Sequence, residues 1–179
     1  MNVTIRQAGE EEFLEIHRFI SGCGVLESYA EHFFKIILRY FGNTSFLAEA
    51  DGKIAGLMWG FGSQKDPETF FLWQIGVDPA FRGEGIAHRI MEHAEEHLPR
   101  LGFRRIEVTV APENVPSRRL FERRGYENIS AREGKTIEVD GALAVEDYYR
   151  PDGHFMLFEK PLRKNNSTSR PGAERRDID

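Results

Sequence analysis

Apolar residues recur along the chain at two spacings, and their alternation sets out an α/β order. Val3 to Arg6 reads as a short strand. Between Gly9 and Ile20, Phe13, Ile16, His17 and Ile20 fall at helical spacing, and Ser21-Gly22-Cys23-Gly24 predicts the break. Tyr29 to Phe41 predicts a second helix, with Phe33, Phe34, Ile37 and Tyr40 on its apolar side and Gly42-Asn43 at its end. Ser45–Ala50 and Ile54–Gly60 read as strands joined by Asp51-Gly52, a dipeptide suited to a tight hairpin.

Phe70 to Val77 is apolar on both sides, as a central strand is, and Asp78-Pro79 closes it. An amphipathic helix follows from about Gly85 to His97. Arg105 to Val110 predicts a fifth strand and Asn114 to Arg124 a helix stopped by Gly125. Tyr126–Ala131 and His154–Glu159 predict the last two strands. The intervening stretch from Arg132 to Gly153 is long for a plain connection, with Lys135–Val139 its strand candidate. No repeat appears. Residues 1–162 read as one domain, and 163–179, polar and without large apolar residues, as a disordered tail.

The chemistry begins at Arg82-Gly83-Glu84-Gly85-Ile86-Ala87. A Gly-rich turn between a strand and a helix exposes backbone N–H groups at the positive end of the helix dipole. That makes an anion site suited to a pyrophosphate. Gly83 and Gly85 allow positive φ and a close approach of the backbone. A second segment, Asn114-Val115-Pro116-Ser117-Arg118-Arg119-Leu120-Phe121-Glu122-Arg123-Arg124-Gly125-Tyr126, follows the fifth strand.

Together these segments resemble the GNAT superfamily of acyl-CoA-dependent N-acetyltransferases. The family pattern Arg/Gln-x-x-Gly-x-Gly/Ala is met by Arg82, Gly85 and Ala87. The pattern Asn-x-x-Ala/Ser-x-x-Leu-Tyr/Phe-x-x-x-Gly-Phe/Tyr is met by Asn114, Ser117, Leu120, Phe121, Gly125 and Tyr126. The resemblance covers roughly Val3 to Leu162. It implies a mixed, mostly antiparallel sheet of six to seven strands flanked by helices and splayed at the fourth and fifth strands. It implies acetyl-CoA as co-substrate, with no metal. Gly83, Glu84 and Ile86 join Arg82, Gly85 and Ala87 at the pyrophosphate, and Asn114, Ser117 and Phe121 sit along the coenzyme. Ile75, Gly76 and Val77 present backbone groups to the pantetheine, with an N–H polarising the thioester carbonyl. Gly76 suits a bulge there; close packing is its plainer explanation.

Acetyl transfer also needs a base for the amine and an acid for the departing thiolate. The family's usual acid is the Tyr of the second pattern. Here that position is Phe121, which cannot donate a proton, and Tyr126 is placed to point elsewhere. Glu107 and His154 lead as bases. Alternation puts Glu107 and Thr109 opposite Ile106, Val108 and Val110, and a carboxylate inside a strand needs a partner or a task. A salt-bridged strand residue and a turn histidine are the plain alternatives. Phe71–Val77, Glu107–Asn114 and Gly153-His154 look like the corresponding stretches of one branch of the family. That branch acts on a small diamino acid and also carries Phe at the Tyr position. The likeness makes Trp73, Gln74, Glu107 and His154 candidates for the acceptor pocket. Alternative readings are a protein N-terminal or lysine acetyltransferase and a non-catalytic acyl-CoA-binding regulator.

Bulk properties narrow the setting. The 179 residues suit one domain. The formal net charge of −5 argues against nucleic acid as partner and fits a cationic amine. The single cysteine, Cys23, excludes an intrachain disulfide, and no apolar run reaches membrane-spanning length, so a soluble cytoplasmic enzyme is expected, as monomer or homodimer. His93 and His97 are four apart but lack the zinc-protease pattern, and a solvated face is expected there. Arg118-Arg119 and Arg123-Arg124 read either as coenzyme phosphate contacts or as an exposed helix face.

Overall fold

The computed structural model describes residues 2–24 and 26–163. Among the described residues, nine strands are joined in one sheet in the order β1-β2-β3-β4-β5-β9-β8-β7, with β6 paired to β9. These are β1 Val3–Gln7, β2 Ser45–Ala50, β3 Lys53–Gly62, β4 Thr69–Val77, β5 Arg105–Val110, β6 Glu127–Asn128, β7 Thr136–Val139, β8 Ala142–Arg150 and β9 Gly153–Pro161. The helices are α1 Phe13–Cys23, α2 Glu31–Phe41, α3 Ile86–His97, α4 Val115–Arg123 and α5 Ser130–Glu133. All pairings are antiparallel except β4 with β5.

Two hydrophobic clusters hold the sheet between its helices. One joins Phe46, Met58, Phe70 and Leu72 to Ile86, Ile90 and Met91 of α3 and to Phe121 of α4. The other joins Ile16, Ile20, Phe34 and Ile37 of α1 and α2 to Leu47, Leu57 and Trp59. Asp51 and Gly52 both adopt positive φ, the twist a two-residue hairpin needs, and connect β2 to β3 as expected.

The parallel pairing of β4 and β5 runs only from Thr69↔Arg105 to Leu72↔Val108. Both strands continue beyond that point, so they splay as the family pattern requires. The β4 bulge lies at Trp73, where the partners step from Trp59↔Gln74 to Gly60↔Leu72. This corrects the expectation for Gly76, which pairs regularly with Leu57; a Cβ there would collide with the Leu26 side chain. Gly76 serves close packing.

Other expectations shift in phase or number. The first helix begins after a 3-10 turn at Glu10–Glu12 and runs through Cys23, ending at left-handed Gly24. On α2 the buried face is Phe34, Ile37 and Leu38, while Tyr40 is exposed. The strand expected from Tyr126 to Ala131 shrinks to β6, because Asn128 Oδ1 accepts from Ser130 N at 3.0 Å and turns the chain into α5. The stretch after Arg132 supplies β7 and β8, joined by Asp140-Gly141 with positive φ at both residues. These strands raise the sheet from six or seven strands to nine. The tail from 164 lies outside the described residues.

Candidate active site

The splay opens a slot of about 190 Å³ through the sheet. Residues of both sheet faces line it: Leu72 and Val110 from one, Trp73 and Thr109 from the other, with Asn114, Ser117 and Phe121 of the α4 region along its side. The edge of β4 from Trp73 to Val77 has no β5 partner, so its slot-facing backbone groups are free to bind. Ile75 and Gln74 line the slot; Gly76 and Val77 do not.

After β4 and a 3-10 turn at Pro79–Phe81, the expected Gly-rich turn leads into α3. Gly83 and Gly85 have φ of +87° and +74°. The first hydrogen bond of α3 runs from Arg89 N–H to Gly85 O at 3.1 Å, which leaves the amides of the preceding turn to face an anion. Glu84 is exposed beside them, Ile86 is buried in the core, and Ala87 is half-buried. The Arg82 side chain turns away: its guanidinium donates to Cys23 O at 3.2 Å and Val77 O at 3.4 Å. Arg82 therefore fixes the turn against α1 and β4. The turn and slot fit the pyrophosphate and pantetheine arm of a coenzyme A thioester.

Beside the slot lies a larger cleft of about 730 Å³. Its walls are aromatic, with Phe33 and Phe41 of α2, Trp59 and Phe61 of β3, and Phe71 and Trp73 of β4. Glu107 reaches this cleft from β5, and Trp73 borders cleft and slot alike. Burial pushes the Glu107 carboxyl above its ordinary pKa, the charge of Glu159 adds to the push, and Arg105 opposes it. Arg105 Nε lies 3.8 Å from both carboxylates, while its guanidinium binds Asp66 of the β3–β4 loop.

A chain of hydrogen bonds braces the site. Trp59 Nε1 donates to Gln74 Oε1 at 3.1 Å, and Gln74 Nε2 donates to Glu27 O at 2.9 Å. Trp73 Nε1 donates to the Tyr29 hydroxyl at 3.2 Å, which donates to Glu27 Oε2 at 2.6 Å. Gln74 thus ties β3 to the segment before α2. The structure does not bring His154 to the cleft. It lines neither cavity, and its Nδ1 accepts from Asp147 N at 3.1 Å at the far end of β9.

The remaining candidates resolve into packing. Phe121 is buried, lines the slot and stacks on Phe158, with ring centroids 6.1 Å apart. Tyr126 points away to Glu95 Oε1 at 3.3 Å. His93 and His97 stack on each other and meet Phe46 edge-on, so this face of α3 is half-buried and packed where a fully solvated face was expected. Arg124 is bound into a buried pair with Glu95, and Arg118 donates to Pro112 O at 3.1 Å. Cys23 is buried, and burial raises its thiol pKa, which makes it unreactive. The sequence did not single out Tyr29, Trp59 and Phe61, because aromatic residues at core spacing look alike whether they fill a core or wall a cleft, nor Lys65, a loop lysine with no local pattern to mark it.

Comparison with known proteins agrees with this geometry. Residues 10–126 match the acetyltransferase (GNAT) family, and the chain belongs to it. It is an acetyl-CoA-dependent N-acetyltransferase. The L-2,4-diaminobutyric acid acetyltransferase of Wolinella succinogenes is 33% identical over 115 residues, 63% of this chain and 66% of that protein. The enzyme of the same name from Vibrio parahaemolyticus is 30% identical over 150 residues, 83% and 80% of the two chains. The diaminobutyrate acetyltransferase of Paenibacillus lautus, solved with L-2,4-diaminobutyric acid and coenzyme A, superposes with a TM-score of 0.69 at 26% identity. It covers 90% of this chain and 95% of its own. Among the described residues, no helix is long and apolar enough to cross a membrane.

Proposed function

We propose that residues 1–162 transfer the acetyl group of acetyl-CoA to an amino group of a small diamino acid of the 2,4-diaminobutyrate kind. The observation that carries this reading is Glu107, a carboxylate inside an aromatic cleft that shares Trp73 with the thioester slot. Aromatic faces and a carboxylate together suit an ammonium group. Lys65, also on the cleft wall, suits the carboxylate of an amino acid. The relatives bearing that substrate's name support the choice. The buried single cysteine supports a cytoplasmic setting.

Each step falls to a named part of the chain. Bound in the slot, acetyl-CoA supplies the thioester. The amides of Gly83–Ala87 hold its pyrophosphate. Backbone N–H groups of the free β4 edge polarise the carbonyl. Glu107 holds the acceptor ammonium, takes its proton directly or through water, and leaves a free amine to attack. Its raised pKa brings it nearer to that of a useful base. Polar groups beside the thioester, Thr109 in the slot and Glu107 in the adjoining cleft, weigh against the non-catalytic regulator.

Thiol release from acetyl-CoA, followed across 2,4-diaminobutyrate, 1,3-diaminopropane, ornithine and a short peptide with a free N-terminus, tests the proposal. We expect 2,4-diaminobutyrate to give the highest kcat/KM. A preference for the peptide overturns the small-molecule reading. Glu107→Gln should lower kcat/KM at least about tenfold at neutral pH, roughly 1.4 kcal/mol of barrier. The gap should narrow as pH rises and free amine becomes abundant, with coenzyme affinity unchanged.

A further inference from the structure

Phe121 leaves the departing thiolate without the usual acid, yet a hydroxyl pair reaches the same slot from the opposite side. Thr109 lines the slot on β5, and its Oγ1 lies 2.9 Å from the Tyr149 hydroxyl. Tyr149 belongs to β8, which is separated from β5 by β9. What delivers it is an irregularity in the β8–β9 ladder. Partners jump from Val145↔Phe155 to Arg150↔Gly153, so four residues of β8 bulge out against one of β9. Asp147, at φ of +51°, bends the bulge, and His154 Nδ1 and Asp152 N hold it by accepting from Asp147 N and donating to Asp147 Oδ1. A bulge beside a site commonly re-aims a side chain into it. The Tyr149 ring crosses β9 and packs on Phe155, itself a slot residue, at 4.8 Å between centroids.

We propose that Thr109 and Tyr149 form a proton relay to the leaving thiolate, replacing the acid that Phe121 cannot supply. The inference rests on the acetyl-transfer reading above. As the C–N bond forms and the C–S bond breaks, the C–S electron pair goes to sulfur. The Thr109 hydroxyl donates to that sulfur and takes the Tyr149 proton in turn. Tyr149 is 54% exposed, so the tyrosinate regains its proton from water. The proton taken from the amine leaves through Glu107, which stands two residues from Thr109 on the same strand face, roughly 7 Å away along the strand. Base and relay therefore flank the slot mouth, and the protons balance.

Tyr149→Phe keeps the ring on Phe155 and deletes the hydroxyl. Thr109→Val keeps the shape and breaks the relay at its inner member. Each should lower kcat on the order of 10²-fold, the scale of one general acid, with acceptor KM and coenzyme affinity unchanged. The double variant should lose no more than either single one, since both lie on one path. A second readout needs no acceptor: the thiol of bound coenzyme A is titrated by the ultraviolet absorption of its thiolate. A relay that hydrogen-bonds the thiolate lowers the thiol pKa in the wild type, so both variants should raise it. Unchanged kcat, a loss confined to KM or coenzyme affinity, or a kcat loss with no change in the thiol titration overturns the relay. Should the wild type use another amine and not 2,4-diaminobutyrate, the acceptor reading fails alone, and the thiol titration still decides the relay.

Discussion

At the scale of single residues, Glu107 owes its properties to its neighbours. Burial disfavours its charge, and Glu159, its cross-strand partner on β9, adds a like charge, while Arg105 pulls the other way. A base acts in its deprotonated form, so the acid limb of the pH profile of kcat/KM lies above the ordinary carboxylate range. Glu159→Gln removes the like charge and should move that limb to lower pH; Arg105→Met should move it higher. A limb that ignores both substitutions assigns the titration to another group. Gly85 is a second residue whose identity follows from geometry. Its φ of +74° costs a residue with a Cβ about 1–2 kcal/mol, although the space beside it is open. Gly85→Ala should therefore weaken coenzyme A binding modestly, by strain alone. Gly85→Asp adds a carboxylate against the pyrophosphate and should weaken it much further, as calorimetry can read. Equal affinities for the two variants would remove the anion from this turn.

Among elements, legibility tracked how local the cause is. The turn at Asp51-Gly52, the alternation of β5 and the strand–turn–helix around Gly85 are written in adjacent residues, and all three stand where the sequence puts them. Asp140-Gly141 carries the same hairpin signal, and reading it that way would have located β7 and β8. The Tyr149 bulge had no such signal, because Glu146–Tyr149 leaves the ladder through contacts with Asp152 and His154 across the hairpin. The cleft walls were equally hidden: Phe33 and Phe61 become a surface only once α2 and β3 meet. Gly76 shows the same dependence on tertiary contact, since its missing Cβ makes room for Leu26 in the segment that caps the slot. Gly76→Ala should cost about 1–3 kcal/mol, the usual penalty for overpacking. Adding Leu26→Ala should recover part of it. Additive losses in urea melts would mean that the two sites do not touch.

For the whole molecule, α3 and the end of α4 are tied together through one partly buried carboxylate. Glu95 of α3 accepts from Arg124 after α4 and from Lys160 of β9, each at 2.7 Å, and from Tyr126 at 3.3 Å. Burial alone would raise its pKa. The hydrogen bonds from Arg124 and Lys160 overcome that and hold it below its ordinary value. The carboxylate thus joins the helix that follows the Gly-rich turn to the end of the helix that lines the slot and to β9. Glu95→Gln leaves Arg124, only 7% exposed, without its counter-charge. Losing one partner of a buried pair costs about 3 kcal/mol or more, and the variant should lose about that much in urea unfolding at neutral pH. The linkage fixes how this varies with acid. A group whose pKa is depressed in the folded state stabilises fully above its unfolded pKa and loses that contribution as pH falls through the folded one. The gap between wild type and Glu95→Gln should therefore be widest near neutrality and close steadily as the pH falls below the ordinary carboxylate range. Since the proposed coenzyme site lies between α3 and α4, the same variant should also weaken coenzyme A binding, more than Glu107→Gln does. A gap independent of pH would mean that Glu95 contributes shape and not charge.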